Sequence, residues 1–102
     1  MAKVSVLAKF TAKEGKADGM AAAFDDLFKA VAAESGTEIY VMNRSSSDPN
    51  VFFFYELYTD ADALGAHGGS EAMQKAAAVF GPMIAESELI IGEPLKAEGV
   101  QI

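Results

Sequence analysis

Two neighbouring β-rich runs limit the folds open to this chain more than any other feature. TEIYVMNRSS (residues 37–46) and NVFFFYELYT (50–59) are dense in β-branched and aromatic side chains, and Ser47, Asp48 and Pro49 between them are turn formers. They are expected to pair as an antiparallel hairpin. Strand side chains alternate between faces, so the hairpin divides into two sets. Ile39, Val41 and Asn43 share a side in one strand, and Val51, Phe53, Tyr55 and Leu57 share a side in the next; these form the expected helix-covered core. The opposite side carries Tyr40, Met42 and Arg44 with Phe52, Phe54, Glu56 and Tyr58. That surface is too apolar for water and too polar for a plain core, which predicts a second subunit closing a lined cavity over it.

The remaining segments frame the hairpin. KVSVLAKFTA alternates, with Val4, Val6, Ala8 and Phe10 on one side and Ser5, Leu7 and Lys9 on the other, as in a strand with one core face. From about Lys13 to Ala33, the residues Met20, Phe24, Leu27, Phe28 and Val31 mark one side of an amphipathic helix, and Gly36 is expected as its left-handed cap. Thr59 is expected to cap a short helix, with Asp62 reaching back as in a capping box; Gly68 and Gly69 stop that helix and Ser70 starts the next. In SEAMQKAAAVFGPMIAE, Met73, Ala76, Ala77, Phe80 and Ile84 line one face, and Pro82 kinks or ends it. SELIIGEPL supplies a last strand. The order is β-α-β-β-α-β with the second helical element in two pieces, a ferredoxin-like α+β fold with an antiparallel sheet. One domain over residues 1–95 and a C-terminal tail at 96–102 are expected, Val100 and Ile102 either reaching a partner chain or fraying.

Composition narrows the chemistry. Fifteen acidic against eight basic residues give a formal charge of -7, with the basic residues scattered, so neither nucleic acid nor an anionic membrane is an expected partner. No cysteine is present, which removes disulfides, zinc-thiolate sites, iron-sulfur clusters and thiol nucleophiles. MAKVSVLAKF does not read as a signal peptide and no window approaches ~18 consecutive apolar residues, so a cytoplasmic protein is expected. A nucleophile elbow, a phosphate-binding glycine loop and a histidine metal cluster are all missing, and no metal site is expected.

FFFYELYTDADALGAHGGSEAMQKA resembles the antibiotic biosynthesis monooxygenase family, also called quinol monooxygenase-like: an aromatic strand, a Glu, an aromatic two residues later, an acidic turn, a Leu and then a His. AESGTEIYVMNRSSSDPN is similar to that family's helix end, second strand and hairpin turn, and the likeness extends over nearly the whole chain. The resemblance implies a dimeric α+β barrel and oxygenation of an aromatic or quinol-type small molecule by O2 without metal, flavin or other cofactor. Haem-degrading relatives use an Asn on the first strand, a Trp on the short helix and a His on the next helix; this chain has none of the three, so haem chemistry is not expected.

Such a reaction needs a group that removes a proton and walls that hold a flat ring. His67, the only histidine, exchanges a proton near neutrality and lies three residues after Leu64, on the same flank of its helix. It is the expected catalytic base, unless it merely ends that helix, where a cationic imidazole complements the dipole. Glu56 is the second expected catalytic residue, orienting His67 or accepting a substrate hydroxyl; an ion pair with Arg44 is the alternative. Tyr40, Met42, Arg44, Phe52, Phe54 and Tyr58 are the expected substrate-binding residues, unless they are ordinary packing. A non-catalytic dimer that binds a small apolar ligand is the competing function.

Overall fold

The computed structural model describes residues 2–102. Four strands, β1 (Val4–Ala12), β2 (Thr37–Arg44), β3 (Val51–Tyr58) and β4 (Ile84–Gly92), form one antiparallel sheet in the order β2-β3-β1-β4. Helices α1 (Ala17–Ala23) and α2 (Asp25–Val31) connect β1 to β2, and α3 (Ala61–Gly68) and α4 (Glu71–Phe80) connect β3 to β4. This is the ferredoxin-like α+β arrangement that the element order predicts.

Register decides which side of the sheet the helices cover. Val4, Val6, Ala8 and Phe10 stand opposite Tyr58, Glu56, Phe54 and Phe52. Tyr40, Met42 and Arg44 stand opposite Glu56, Phe54 and Phe52. Directly opposed residues of an antiparallel pair share a face. Val6, Ala8, Phe52, Phe54 and Tyr58 belong to the same buried cluster as Met20, Phe24, Leu27, Val31, Ala76 and Phe80 of the helical layer. The face expectation for the hairpin is therefore inverted. Phe54 is 1% exposed beneath the helices, whereas Phe53 is 36% exposed on the open side with Val41 and Tyr55. Asn43 lies on that open side too, its amide donating to the Phe53 carbonyl at 3.2 Å.

An aromatic stack fills the space between sheet and helices. Phe24 packs against Phe80 at 4.6 Å between ring centroids and against Phe54 at 4.9 Å, while Phe10 meets Phe54 edge-on at 5.8 Å. Such rings bury large apolar areas and add directional contacts. Phe24 also interrupts the single helix expected from Lys13 to Ala33. Its backbone N–H bonds the Ala21 carbonyl, a tightened turn that separates α1 from α2.

Three local signals resolve differently from one another. Ser70 caps α4 as expected, accepting from the Met73 N–H at 3.0 Å, and Gly81, Pro82 and Met83 turn that helix into β4. The cap of α3 is Asp60 rather than Thr59: its carboxylate accepts from the Ala63 N–H at 2.8 Å, while the Thr59 hydroxyl donates to Glu38 at 3.0 Å. Gly36 is not a left-handed cap, since α2 ends at Val31 and positive φ is confined, among the described residues, to Gly15 and Gly99. A Cβ at Gly36 would collide with the Ala63 side chain, so this glycine lets α3 lie close against the start of β2. After β4 the chain turns at Gly99, and the Gln101 carbonyl accepts from Lys3 Nζ at 2.8 Å.

Candidate active site

Three consecutive constraints bring one imidazole into the interior. The Asp60 cap fixes where α3 begins, the Gly36 contact sets its depth, and Gly69 ends it. One helical turn puts Leu64 and His67 on the inward flank, as their spacing predicts. His67 is 3% exposed. It lies between the rings of Tyr40 and Tyr58, at centroid distances of 4.9 and 5.4 Å. The imidazole is thus not a solvent-facing helix end; it is enclosed by the sheet's aromatic side chains.

Its polar partner is a carboxylate from the other helical connection. His67 Nδ1 lies 2.9 Å from Glu34 Oε1, and the Thr37 hydroxyl donates to the same oxygen at 2.6 Å. Among the described residues this is the only side-chain hydrogen bond of His67. Glu34, rather than Glu56, makes the carboxylate contact to His67 that was one of the two roles expected of Glu56, and it is not among the residues expected from the sequence. A signal was present: a carboxylate three residues beyond α2 sits near the negative end of a helix dipole and gains from a donor there.

Glu56 has a different partner. The Tyr58 hydroxyl donates to Glu56 Oε1 at 2.5 Å, a contact between residues two apart on one strand face. Burial raises the Glu56 carboxyl above the usual carboxylate range, and the Tyr58 hydrogen bond and the electrostatic influence of a protonated His67 only partly oppose it. Burial also pushes the phenols of Tyr40 and Tyr58 up, reinforced by the neighbouring carboxylates. All these groups are held in a poorly solvated space.

That space is a cavity of about 250 Å³ between the sheet and the helices. His67, Glu56, Tyr40 and Phe54 line it, as do Leu64, Met73, Phe24 and Phe80. Leu89 on β4 and Gly68 at the end of α3 belong to its lining and are exposed, so the void reaches the surface there. Val6, Ala8 and Phe10 complete its floor. Within this chain, the sheet face bearing the expected site residues is roofed by the chain's own helices rather than by a second subunit.

The expected binding residues divide. Tyr40 and Phe54 are cavity walls, and Tyr58 stands behind them against His67 and Glu56. Phe52 is buried in the core cluster at the far end of β3, and Met42 packs against that cluster. Arg44 is remote: its guanidinium stacks 4.8 Å from the Phe52 ring, bonds the Pro49 carbonyl at 3.0 Å and meets Asp18 at 3.5 Å. The Glu56–Arg44 ion pair is absent because their rungs lie four positions apart on the ladder, Arg44 facing Phe52 and Glu56 facing Tyr40. Among the described residues no cluster of three or more His, Cys, Asp or Glu could hold a metal ion, and no helix is long and apolar enough to cross a membrane.

The family model described as antibiotic biosynthesis monooxygenase matches residues 3–79. A solved structure from Caulobacter crescentus, named as a candidate antibiotic biosynthesis monooxygenase, is 29% identical, with a TM-score of 0.86 over 93% of this chain and 92% of its own. A Shewanella oneidensis protein is 24% identical, with a TM-score of 0.85 over 91% of each chain. A Nitrosomonas europaea protein, also named as a candidate of this kind, is 19% identical, with a TM-score of 0.87 over 95% of this chain and 94% of its own. The last two likenesses speak for the fold alone. No curated protein matches the chain.

Proposed function

Because the chain belongs to the antibiotic biosynthesis monooxygenase family, we propose that it oxygenates a small quinol-type aromatic molecule with O2, acting in the cytoplasm and using no metal, flavin or haem. A monooxygenase-type function is what the family and the Caulobacter likeness support. The observation that carries the finer reading is the placement of a single imidazole, with one nitrogen already engaged by a carboxylate, in the wall of an aromatic-lined cavity.

Cavity size argues for the substrate class. An apolar void of about 150 Å³ accommodates benzene, and drug-sized ligands occupy roughly 300–1,000 Å³. At about 250 Å³ the site fits a one- or two-ring molecule better than a polycyclic one. Tyr40 and Phe54 offer ring faces and edges to a flat guest.

The reaction then divides its tasks. His67 takes a proton from the substrate, leaving the electron pair on the substrate anion. That anion is the reductant for O2. One oxygen atom stays on the ring carbon as a carbonyl, and the other leaves as water with two hydrogens of the substrate, the hydroxyl proton that His67 removes and the one hydrogen of that ring carbon. Glu56 lines the same cavity, where its carboxyl, raised by burial, would donate a hydrogen bond to the developing charge in its protonated form. A second copy of the chain covers the open sheet face, where Leu7, Val41, Phe53, Tyr55 and Ile90 stand exposed, completing a homodimer whose cavities lie one in each subunit.

Oxygen uptake by metal-free protein, measured against hydroquinones and naphthols with His67→Gln beside it, tests the reading. Uptake above autoxidation should fall by about 10²–10⁴-fold in the variant, the usual contribution of a positioned base. Saturable binding without uptake by the wild type would instead mark a ligand-binding dimer.

A further inference from the structure

Beyond the void that His67 lines on the sheet side, a second depression touches the same imidazole from outside. This open cleft of about 610 Å³ is lined by Glu34, Thr37, Thr59, Asp60 and Ser70, and also by His67 itself. The Glu34 carboxylate therefore stands between solvent and the buried ring, its side chain 21% exposed and that of His67 only 4%. Both Thr37 Oγ1 and His67 Nδ1 address the same oxygen of Glu34.

Donor counting fixes the consequence. A carboxylate accepts hydrogen bonds and has none to give, so the imidazole nitrogen at 2.9 Å is the one carrying hydrogen. In a neutral ring the other nitrogen, Nε2, then bears the lone pair. It makes no hydrogen bond among the described residues, in a ring that lines the inner cavity. We propose that Glu34, itself held by Thr37, is the positioning residue that selects this tautomer and keeps the basic nitrogen of His67 available to the inner cavity.

The inference deepens the reading of His67 as the base and rests on it. When the substrate bond to hydrogen breaks, a new bond forms at Nε2 and the electron pair remains on the substrate. The resulting imidazolium is stabilised by the adjacent carboxylate, and Nε2 returns its proton to the oxygen atom that leaves as water. Glu34 touches neither substrate nor oxygen, so its effect is on the rate of the proton step rather than on ring binding.

Two variants test this. Glu34→Ala opens space beside the outer cleft, and Glu34→Gln keeps the shape while losing the charge and leaving the amide free to donate as well as accept. Ring-nitrogen NMR on labelled wild-type protein should show Nδ1 protonated and Nε2 bare in the neutral imidazole, with the other tautomer gaining population in both variants. Where turnover is measured, Glu34→Ala should lower kcat by about ten- to a hundredfold with KM changed less than about twofold, Glu34→Gln should lose less, and added formate should restore part of the Glu34→Ala rate through the cleft. An unchanged tautomer in both folded variants would overturn the inference, as would wild-type kcat in Glu34→Ala. Absence of oxygen uptake by the wild type would instead count against the oxygenase reading, and the tautomer would still decide the role of Glu34.

Discussion

The two faces of the sheet are built from nearly the same kinds of residue and end in opposite surroundings. Phe54 and Tyr58 on one face are enclosed at 1% and 0% exposure, while Phe53 and Tyr55 on the other, which flank Phe54 in sequence, remain 36% and 39% exposed. Hydrophobicity does not separate these pairs. What separates them is polar chemistry: the enclosed face holds Glu56, Tyr58 and Tyr40 around His67. The exposed face has an apolar row, Val41, Tyr55, Leu7 and Ile90, running across the paired strands. Under the proposed function, the first face carries the chemistry within the subunit and the second is the surface a partner copy covers.

The largest test of that contrast is a pair of truncations. Phe54→Ala should destabilise by about 3–5 kcal/mol, because it removes a ring with three aromatic neighbours and leaves a cavity. Phe53→Ala should cost about 1 kcal/mol or less at protein concentrations low enough to keep the chain monomeric. Urea denaturation measures both, and equal costs would dissolve the distinction.

A charge on the open face sharpens it further. Tyr55→Glu should convert the expected homodimer to monomer in light scattering at micromolar concentration, while the fold of each subunit persists. A wild-type protein already monomeric under those conditions would remove the role given to this face. The smallest effect lies inside. Because burial raises the folded-state carboxyl of Glu56, the native protein binds more protons than the unfolded chain between the ordinary carboxylate value, about 4.3, and the raised one. Stability from this group is therefore greatest below that window and falls as pH rises through it. Glu56→Gln should remove this part of the pH dependence, so melting temperatures of variant and wild type should shift in the variant's favour from pH 4 to pH 8. Parallel curves would contradict the assignment.

Much of this was legible in the chain, but unevenly. The hairpin, the element order and the Leu64–His67 flank follow from local pattern and spacing. The choice of buried face does not follow from β3, because VFFFYELY is aromatic on both sides. It was available from β1, where Val4, Val6 and Ala8 alternate with Ser5, Leu7 and Lys9, once pairing is known to set Val6 opposite Glu56. Glu34 meets His67 across 33 positions of sequence, and a contact that distant has no periodicity to announce it. Arg44 was drawn into the expected site by face alone; distance along the strand takes it out.

A structure of the protein with a bound hydroquinone or naphthol tests the central claim most directly. One ligand per subunit is expected between sheet and helices, its ring against Tyr40 and Phe54 and its hydroxyl within hydrogen-bond distance of His67 Nε2. A ligand seated on the open face against Phe53 and Tyr55, with the inner cavity empty, would contradict it.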